Sequence, residues 1–162
     1  QLAMESGDPE LLHCYMNGID VHARTAALIV GMSFEDFNAL PKSKKKGYRQ
    51  EAKPINFGVN YGMKETGLAS YAKSSYGVDM SAKDAGRYIR EFFRLYKGVK
   101  RYQIRLLRES RKTGYVDVNW LGKRWRSRPV YDIMSPNRGK RGAAERVVLN
   151  TTIQGGAMEY TS

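Results

Sequence analysis

Four residues spaced four apart could bind an anionic ligand that carries a flat ring. They are Arg49, Lys53, Phe57 and Tyr61, and on a helix each step of four turns by about 40°, so the four share roughly a third of the circumference. The two cations could bind phosphates, and the rings could stack on a base or contact a sugar. A solvated amphipathic helix with both rings in the core is the alternative, and on spacing alone it is favoured because basic-aromatic helices are common. Pro54 requires such a helix to tolerate a kink or a second start.

A second polar row, Arg146, Asn150 and Gln154, repeats the same spacing near the end of the sequence. On a helix it would place one cation and two amides along a single ridge. Amides carry paired donors and acceptors that suit base and sugar edges, while arginine suits phosphates or minor-groove acceptors. A plain polar helix face remains the alternative interpretation of this row.

The remaining polar side chains indicate no catalytic or metal centre within the chain. Cys14 has no cysteine partner and no histidine at zinc spacing. His22 could contact a phosphate or lie in the core. Asp8, Glu10 and Asp20 fit cap and turn positions better than a metal site. We find no convincing pair of catalytic carboxylates, and therefore predict no catalytic residue and no metal ligand here.

The positive charge is concentrated in one block. The chain carries a formal charge of +12, and residues 87–146 hold 18 basic and 5 acidic residues. An excess of this size implies a polyanionic partner but does not by itself separate nucleic acid from an acidic membrane surface. The basic residues on the predicted helices of this block recur at helical spacing and could follow a phosphate backbone without reading sequence. They are Arg87, Arg90, Arg94, Lys97, Lys100, Arg101, Arg105, Arg108 and Arg111.

The elements that must position these residues are mainly helical. Apolar periodicity and cap residues predict a helix over 21–30, with Asp20 as its N-cap and Gly31 as its end. Two further helices are predicted over 44–60 and 63–74, separated by Gly62. The last helical stretches run over 81–114, with a break at Gly98, and from about 140 to 160. Alternating β-branched and aromatic residues predict a hairpin over 115–131 with its turn at Gly122. The run 42–47 is the one candidate flexible segment. The expected fold class is mainly α with a short hairpin.

Bulk properties bound the function class. The 162 residues suit one domain or part of one. The single cysteine excludes a disulfide-stapled scaffold and indicates a reducing compartment, which we take to be the cytoplasm. The longest apolar stretch, 26–32, is far below the roughly 20 residues that a transmembrane helix needs, and the first residues lack a signal-peptide pattern. Both ends resemble cut points in a longer polypeptide.

Three blocks of the chain resemble the family A DNA polymerases, the group typified by bacterial DNA polymerase I and many phage replicative enzymes. The first comprises residues 2–9 and 20–26, Leu-Ala-Met-Glu-Ser-Gly-Asp-Pro and Asp-Val-His-Ala-Arg-Thr-Ala. The second is residues 49–62, Arg-Gln-Glu-Ala-Lys-Pro-Ile-Asn-Phe-Gly-Val-Asn-Tyr-Gly. The third includes Arg-Gly-Ala-Ala-Glu-Arg over 141–146 and Asn-Thr-Thr-Ile-Gln-Gly over 150–155. Order and spacing agree over nearly the whole chain.

The resemblance implies a role for each row. The residues that it places at the incoming dNTP are His22, Arg49, Lys53, Phe57, Tyr61 and Gly62. The residues that it places on the primer-template DNA are Arg141, Arg146, Asn150 and Gln154. Phosphate contacts fall to the first three of the dNTP set, Phe57 would pack on sugar and base, and Tyr61 with Gly62 would guard the templating position.

The resemblance also implies an organisation. Residues 1–32 would run from palm to fingers, 33–80 would form the fingers with the nucleotide-binding helix 44–60, 81–114 would be a basic helical pair, and 115–162 would be the hairpin and the DNA-contacting helix that leads back to the palm. Two Mg²⁺ ions serve the family's reaction, and the aspartates that hold them lie before and after this stretch. The chain would then be inactive alone and would need the remainder of the polymerase polypeptide.

Two other function classes compete with this interpretation. A non-catalytic helical nucleic-acid-binding module explains the basic block equally well, but it does not explain why both polar rows and Gly62 occur together. A structural or protein-interaction role ranks third.

Overall fold

The computed structural model describes residues 2–120 and 123–160, and the surroundings of the side chains for residues 2–118 and 127–154. The helices are α1 (Leu2–Ser6), α2 (Pro9–Met16), α3 (Val21–Val30), α4 (Phe34–Asn38), α5 (Lys42–Asn60), α6 (Glu65–Tyr76), α7 (Ala82–Leu95), α8 (Lys97–Thr113) and α9 (Arg138–Tyr160), and the strands are β1 (Tyr115–Trp120) and β2 (Lys123–Pro129). The expected mainly helical class with one hairpin is confirmed. None of the described helices is long and apolar enough to cross a membrane.

The chain forms two compact units, one of residues 7–97 and one of residues 98–162 with α1. In the first unit, small side chains let α3 lie close to α5. Ala23, Ala26 and Ala27 of α3 are buried with Ala52 of α5 and Phe37. The ends of α3 are those expected, because the Asp20 carboxylate accepts a hydrogen bond from the first turn and the residue after Val30 is a left-handed glycine.

Helix α5 is longer than predicted and runs through its proline. It begins at Lys42, so the expectation that residues 42–47 are flexible is wrong. Pro54 lies inside the helix and is buried with Ile55 and Val59. An interior proline costs a helix roughly 3 kcal/mol, and burial of this apolar face offsets that cost. The row from Arg49 onward therefore stays on one continuous helix.

The break between α7 and α8 lies at Tyr96 rather than at Gly98. Helix α7 starts where the pattern predicted a helix from residue 81, because the Ser81 hydroxyl caps it by accepting from the Asp84 N–H at 3.0 Å. The Tyr96 backbone leaves the helical region, with φ −105° and ψ 67°, and its side chain is fully buried. Its ring centroid lies 4.8 Å from that of Phe92. Packing of this ring outweighs the low helix propensity of Gly98, which lies buried inside α8.

The second unit contains the hairpin and α9. β1 pairs antiparallel with β2, from Tyr115 opposite Pro129 to Trp120 opposite Lys123, with an irregularity after Val118. The turn predicted at residue 122 lies outside the described residues. A hydrophobic core of this unit joins the hairpin to the last helix. It contains Val116, Val130, Ile133, Ala144 and Val148. The Asn137 side chain accepts from the N–H groups of residues 139 and 140, which explains why α9 begins at Arg138.

Candidate functional site

Helices α3 and α5 bring five of the polar and aromatic side chains into one group, which we call the α3–α5 cluster: His22, Arg49, Lys53, Asn56 and Phe57. The His22 ring lies with its centroid 5.6 Å from that of Phe57, and its Nδ1 atom is 2.8 Å from the Asn56 amide nitrogen. Phe57 is 38% exposed. It is therefore not a core residue, and the face that carries it is available to a ligand.

Arg49 is tied to the start of α3 through Asp20. One Asp20 carboxylate oxygen accepts from the His22 backbone N–H at 2.9 Å, and the other forms an ion pair with an Arg49 Nη atom. The Arg49 Nε atom is buried and has no acceptor among the described residues. Because a guanidinium offers five donors, this arginine keeps donors for a further anion after it has engaged Asp20.

Burial favours the neutral form of His22. Burial lowers the pKa of His22 below its ordinary value, the positive charges of Lys53 and Arg49 lower it further, and Asp20 acts in the opposite direction. A neutral imidazole still has one N–H donor. The cluster therefore presents two cations and one neutral polar ring on the same side.

Tyr61 and Gly62 lie at the end of α5. The Tyr61 N–H donates to the Phe57 carbonyl at 3.0 Å, and the Gly62 N–H donates to the Val59 carbonyl at 3.1 Å. Gly62 has φ +75°, a conformation that side chains other than glycine rarely adopt. The sharp end of the helix thus leaves Tyr61 half-buried and one turn beyond Phe57.

The second row lies on α9 as expected, and we call Arg146, Asn150 and Gln154 the α9 ridge. Arg146 and Gln154 are exposed, and the Asn150 Oδ1 atom is buried with no donor in the described part of the chain. The opposite face of the helix is covered, with Val148 and Leu149 buried. The ridge is a polar surface on a helix whose other side is fixed in the core.

Arg141 has a structural bond in addition to its predicted role. One of its Nη atoms donates to the Ser135 carbonyl at 3.0 Å and holds the loop before α9. Since this uses one of five guanidinium donors, the remaining ones can still reach a phosphate.

The basic residues of α7 and α8 face outward. All nine are exposed: Arg87, Arg90, Arg94, Lys97, Lys100, Arg101, Arg105, Arg108 and Arg111. Two of them pair with carboxylates, Arg94 with Glu91 at 3.0 Å and Arg111 with Glu145 at 2.8 Å. Exposed ion pairs of this kind contribute little to stability, and each helix presents a net positive surface.

Sequence reasoning missed the groups behind His22. Thr25 and Asn56 are buried, and the Thr25 hydroxyl donates to the Asn56 amide oxygen at 2.8 Å. The Tyr96 hydroxyl lies 3.1 Å from the same Thr25 oxygen. A polar residue in the apolar run 54–59 was a signal for Asn56. Thr25 and Tyr96 lie 71 positions apart, and no local pattern connects them.

Neither a metal centre nor a reactive thiol is found in the part of the chain that the structure describes. No group of three or more His, Cys, Asp or Glu side chains comes together there to hold an ion. Burial, with smaller contributions from Glu10 and Asp8, raises the pKa of the Cys14 thiol. This thiol therefore stays protonated and unreactive at neutral pH.

Comparison with known proteins identifies the family of the chain. The family model for DNA polymerase family A matches residues 1–162. The chain belongs to DNA polymerase family A. It is 36% identical over 159 residues to DNA polymerase I of Lactococcus lactis subsp. lactis (strain IL1403), a match that covers 98% of this chain and 16% of that protein. It is 35% identical over 158 residues to DNA polymerase I of Geobacillus stearothermophilus, again covering 98% of this chain and 16% of the relative.

A solved structure agrees with the family assignment. The POL domain of Pol1 from M. smegmatis, in complex with DNA primer-template and dNTP, matches with a TM-score of 0.76 and 28% identity over 99% of this chain and 25% of that chain. The chain spans about a sixth of the length of the two bacterial DNA polymerase I relatives. The resemblance inferred from the three sequence blocks is confirmed at the level of family and fold.

Proposed function

We propose that this family A chain is the nucleotide- and DNA-binding part of a larger DNA polymerase that adds dNTPs to a primer 3′-OH under template direction. The observation that carries the proposal is the α3–α5 cluster, in which the charges of Arg49 and Lys53 act on a neutral His22 whose ring lies beside the exposed ring of Phe57. The solved polymerase domain that matches this chain is in complex with primer-template DNA and dNTP. We place the enzyme in the cytoplasm of a bacterial cell or a phage-infected host.

The cluster suits a triphosphate that carries a sugar and a base. Arg49 and Lys53 neutralise phosphate charge, and charge-assisted hydrogen bonds from such cations are the stronger ones. His22 adds a directional donor without a third full charge. Phe57 packs on the sugar and base, while Tyr61 and Gly62 border the templating position at the end of α5. These contacts hold the nucleotide in place for attack by the primer oxygen.

The α9 ridge and the basic helices suit the other substrate. Exposed cations on α7 and α8 bind the backbone of primer-template DNA irrespective of sequence. Arg146, Asn150 and Gln154 contact the duplex near the primer terminus, and Arg141 contacts its backbone.

The family's reaction uses divalent metal ions, which we infer to be two Mg²⁺. The described residues do not form a site for them, and we assign their aspartate ligands to the remainder of the polymerase polypeptide. This chain's own residues bind and orient the two substrates.

The test uses the complete polymerase with Lys53→Ala. Loss of one charged contact should lower kcat/KM for dNTP by about 10- to 100-fold, measured by single-nucleotide primer extension. Lys46→Ala, an exposed lysine on the same helix, is the matched control and should leave dNTP use unchanged. Equal kinetics for the Lys53 variant and the wild type would refute the nucleotide site.

A helical nucleic-acid-binding module without catalysis is the second candidate, since the exposed cations of α7 and α8 support it equally well. The coding region on both sides of this segment separates the two. An upstream Asp and a downstream His-Asp-Glu are expected for the polymerase, and their absence would favour the module.

A further inference from the structure

A buried chain of polar groups connects His22 with the core of its unit. From the surface inward it consists of His22, Asn56, Thr25 and Tyr96, which lie on α3, α5 and directly after α7. Thr25 and Tyr96 are fully buried, and Asn56 is 4% exposed. Polar groups this deep must pair their donors with acceptors, because an unpaired group costs about 1–3 kcal/mol.

The pairing fixes which nitrogen of His22 carries the proton. The Asn56 amide nitrogen, 2.8 Å from His22 Nδ1, can only donate. His22 Nδ1 must therefore accept, so the proton of the neutral ring resides on Nε2. That second nitrogen makes no hydrogen bond to the described part of the chain.

The bond from Thr25 sets the orientation of the Asn56 amide. Thr25 has one hydroxyl proton and donates it to Asn56 Oδ1 at 2.8 Å. Its oxygen must then accept from the Tyr96 hydroxyl, 3.1 Å away. Burial raises the pKa of Tyr96 above its ordinary value, so this hydroxyl keeps the proton that it donates. The direction of the chain follows from the bond that Thr25 donates to Asn56 Oδ1, which leaves the amide nitrogen to face His22.

We propose that Asn56, oriented by Thr25 and Tyr96, is a positioning residue that keeps His22 as the neutral tautomer with Nε2–H available to a phosphate of the bound nucleotide. The phosphate part of this statement rests on the proposed function. The tautomer part rests on the hydrogen bonds alone, so the two can fail separately.

Burial favours a neutral ring, and Asp20 alone among the described neighbouring charges acts against it. The charged groups that act on His22 are Asp20 at the start of α3 and Lys53 and Arg49 on α5, and the two cations oppose its protonation. Protonation would also place an Nδ1–H against the Asn56 N–H, donor against donor. The arrangement thus provides a directed donor beside two cations without adding a third charge to the cluster.

The first experiment measures the tautomer. The complete polymerase is labelled with ¹⁵N-histidine, and the His22 signals are identified by their loss in His22→Gln. At pH 7.5 and without nucleotide, we expect an unprotonated Nδ1 and a protonated Nε2. A protonated Nδ1 would overturn the proposal even if the enzyme used dNTP normally.

The second measurement adds a nonreactive dNTP analogue to the same sample with primer-template DNA. The Nε2–H signal should shift on binding while Nδ1 stays unprotonated. If the tautomer is as proposed and saturating analogue leaves Nε2–H unchanged, the phosphate contact is wrong, and that result counts against the proposed function rather than against the hydrogen-bond chain.

A matched pair of variants tests the orienting residue. Thr25→Val keeps the shape and removes the hydroxyl, whereas Thr25→Ser keeps the hydroxyl. We expect Thr25→Val to raise KM for dNTP about fivefold and to let part of the His22 population protonate at Nδ1, and Thr25→Ser to restore both readouts. If both variants show the wild-type tautomer and KM, Thr25 does not orient Asn56 and the proposal is overturned.

Discussion

The α3–α5 cluster and the α9 ridge both contain side chains spaced four residues apart on a helix, yet among the described residues only the cluster has members that are tied to other side chains of their unit. Arg49 pairs with Asp20, and His22 is held by Asn56. On the ridge, Arg146 and Gln154 are exposed and make no hydrogen bond to another described residue. The cluster therefore has two of its side chains, Arg49 and His22, fixed in advance, whereas the exposed side chains of the ridge are available.

The difference follows from the ligands we propose. A dNTP is small and must be held with its reacting phosphate in place, so a fixed site avoids the cost of ordering side chains on binding. A DNA duplex moves past the enzyme after each addition, so its contacts must form and release. Long polar side chains on a fixed helix allow that at modest affinity per contact.

The variant with the largest expected effect, Gly58→Ala, tests whether the cluster depends on tight packing of α5. A Cβ at Gly58 would lie 2.6 Å from Leu68 Cδ1, and Leu68 is fully buried. Gly58→Ala should therefore lower the free energy of unfolding by about 1–3 kcal/mol and speed hydrogen exchange in α5 and α6. Gly47→Ala, on the same helix with nothing within 4 Å, is the control and should stabilise by about 0.5–1 kcal/mol. Equal effects of the two changes would show that α5 is not held tightly.

The next effect concerns the ridge. Gln154→Ala removes an exposed amide and should weaken binding of primer-template DNA to the complete polymerase about fivefold, the value of one neutral hydrogen bond. Fluorescence anisotropy with a labelled primer checks the affinity. The Tm should not change, because the side chain supports nothing else among the described residues. A large fall in Tm would show that Gln154, like Gly58, supports the packing of the fold.

The smallest effect is a dependence on pH that only the cluster should show. Burial and the neighbouring cations lower the pKa of His22 in the folded protein, while the unfolded chain keeps a value near 6.5. The unfolded state therefore binds the proton more readily, and the contribution of His22 to stability is lost as the pH falls below about 6.5. The difference in unfolding free energy between wild type and His22→Gln should shrink from pH 7.5 to pH 5.5 in urea titrations. A difference independent of pH would contradict the lowered pKa.

Most of the fold, and the positions of both polar rows, could be predicted from local signals. Asp20, Gly31 and Ser81 marked helix ends through their own backbone preferences. The break at Tyr96 could not be predicted, because it depends on a ring packed against Phe92 and a hydroxyl that meets Thr25. The start of α5 at Lys42 was missed because a run of lysines shows no apolar period, although it continues a helix fixed further along.

For the site residues too, spacing predicted some positions, and tertiary packing alone determines the others. Spacing showed that Arg49 and Lys53 could share a face, and the structure describes that face as one continuous helix. Spacing did not show that His22 lies against the same face, since the two helices meet only through tertiary packing. Asn56 carried a weak signal as a polar residue in an apolar run, and its partner Thr25 carried none.

The most direct test measures two variants of the complete polymerase, each for its affinity for two ligands. Lys53→Ala and Gln154→Ala are each measured for dNTP affinity in single-turnover extension and for primer-template affinity by anisotropy. We expect Lys53→Ala to weaken dNTP binding about 10- to 100-fold with unchanged affinity for DNA, and Gln154→Ala to weaken DNA binding about fivefold with unchanged dNTP affinity. Loss of both affinities in both variants, or of neither in either, would contradict the assignment of the cluster to the nucleotide and the ridge to the duplex.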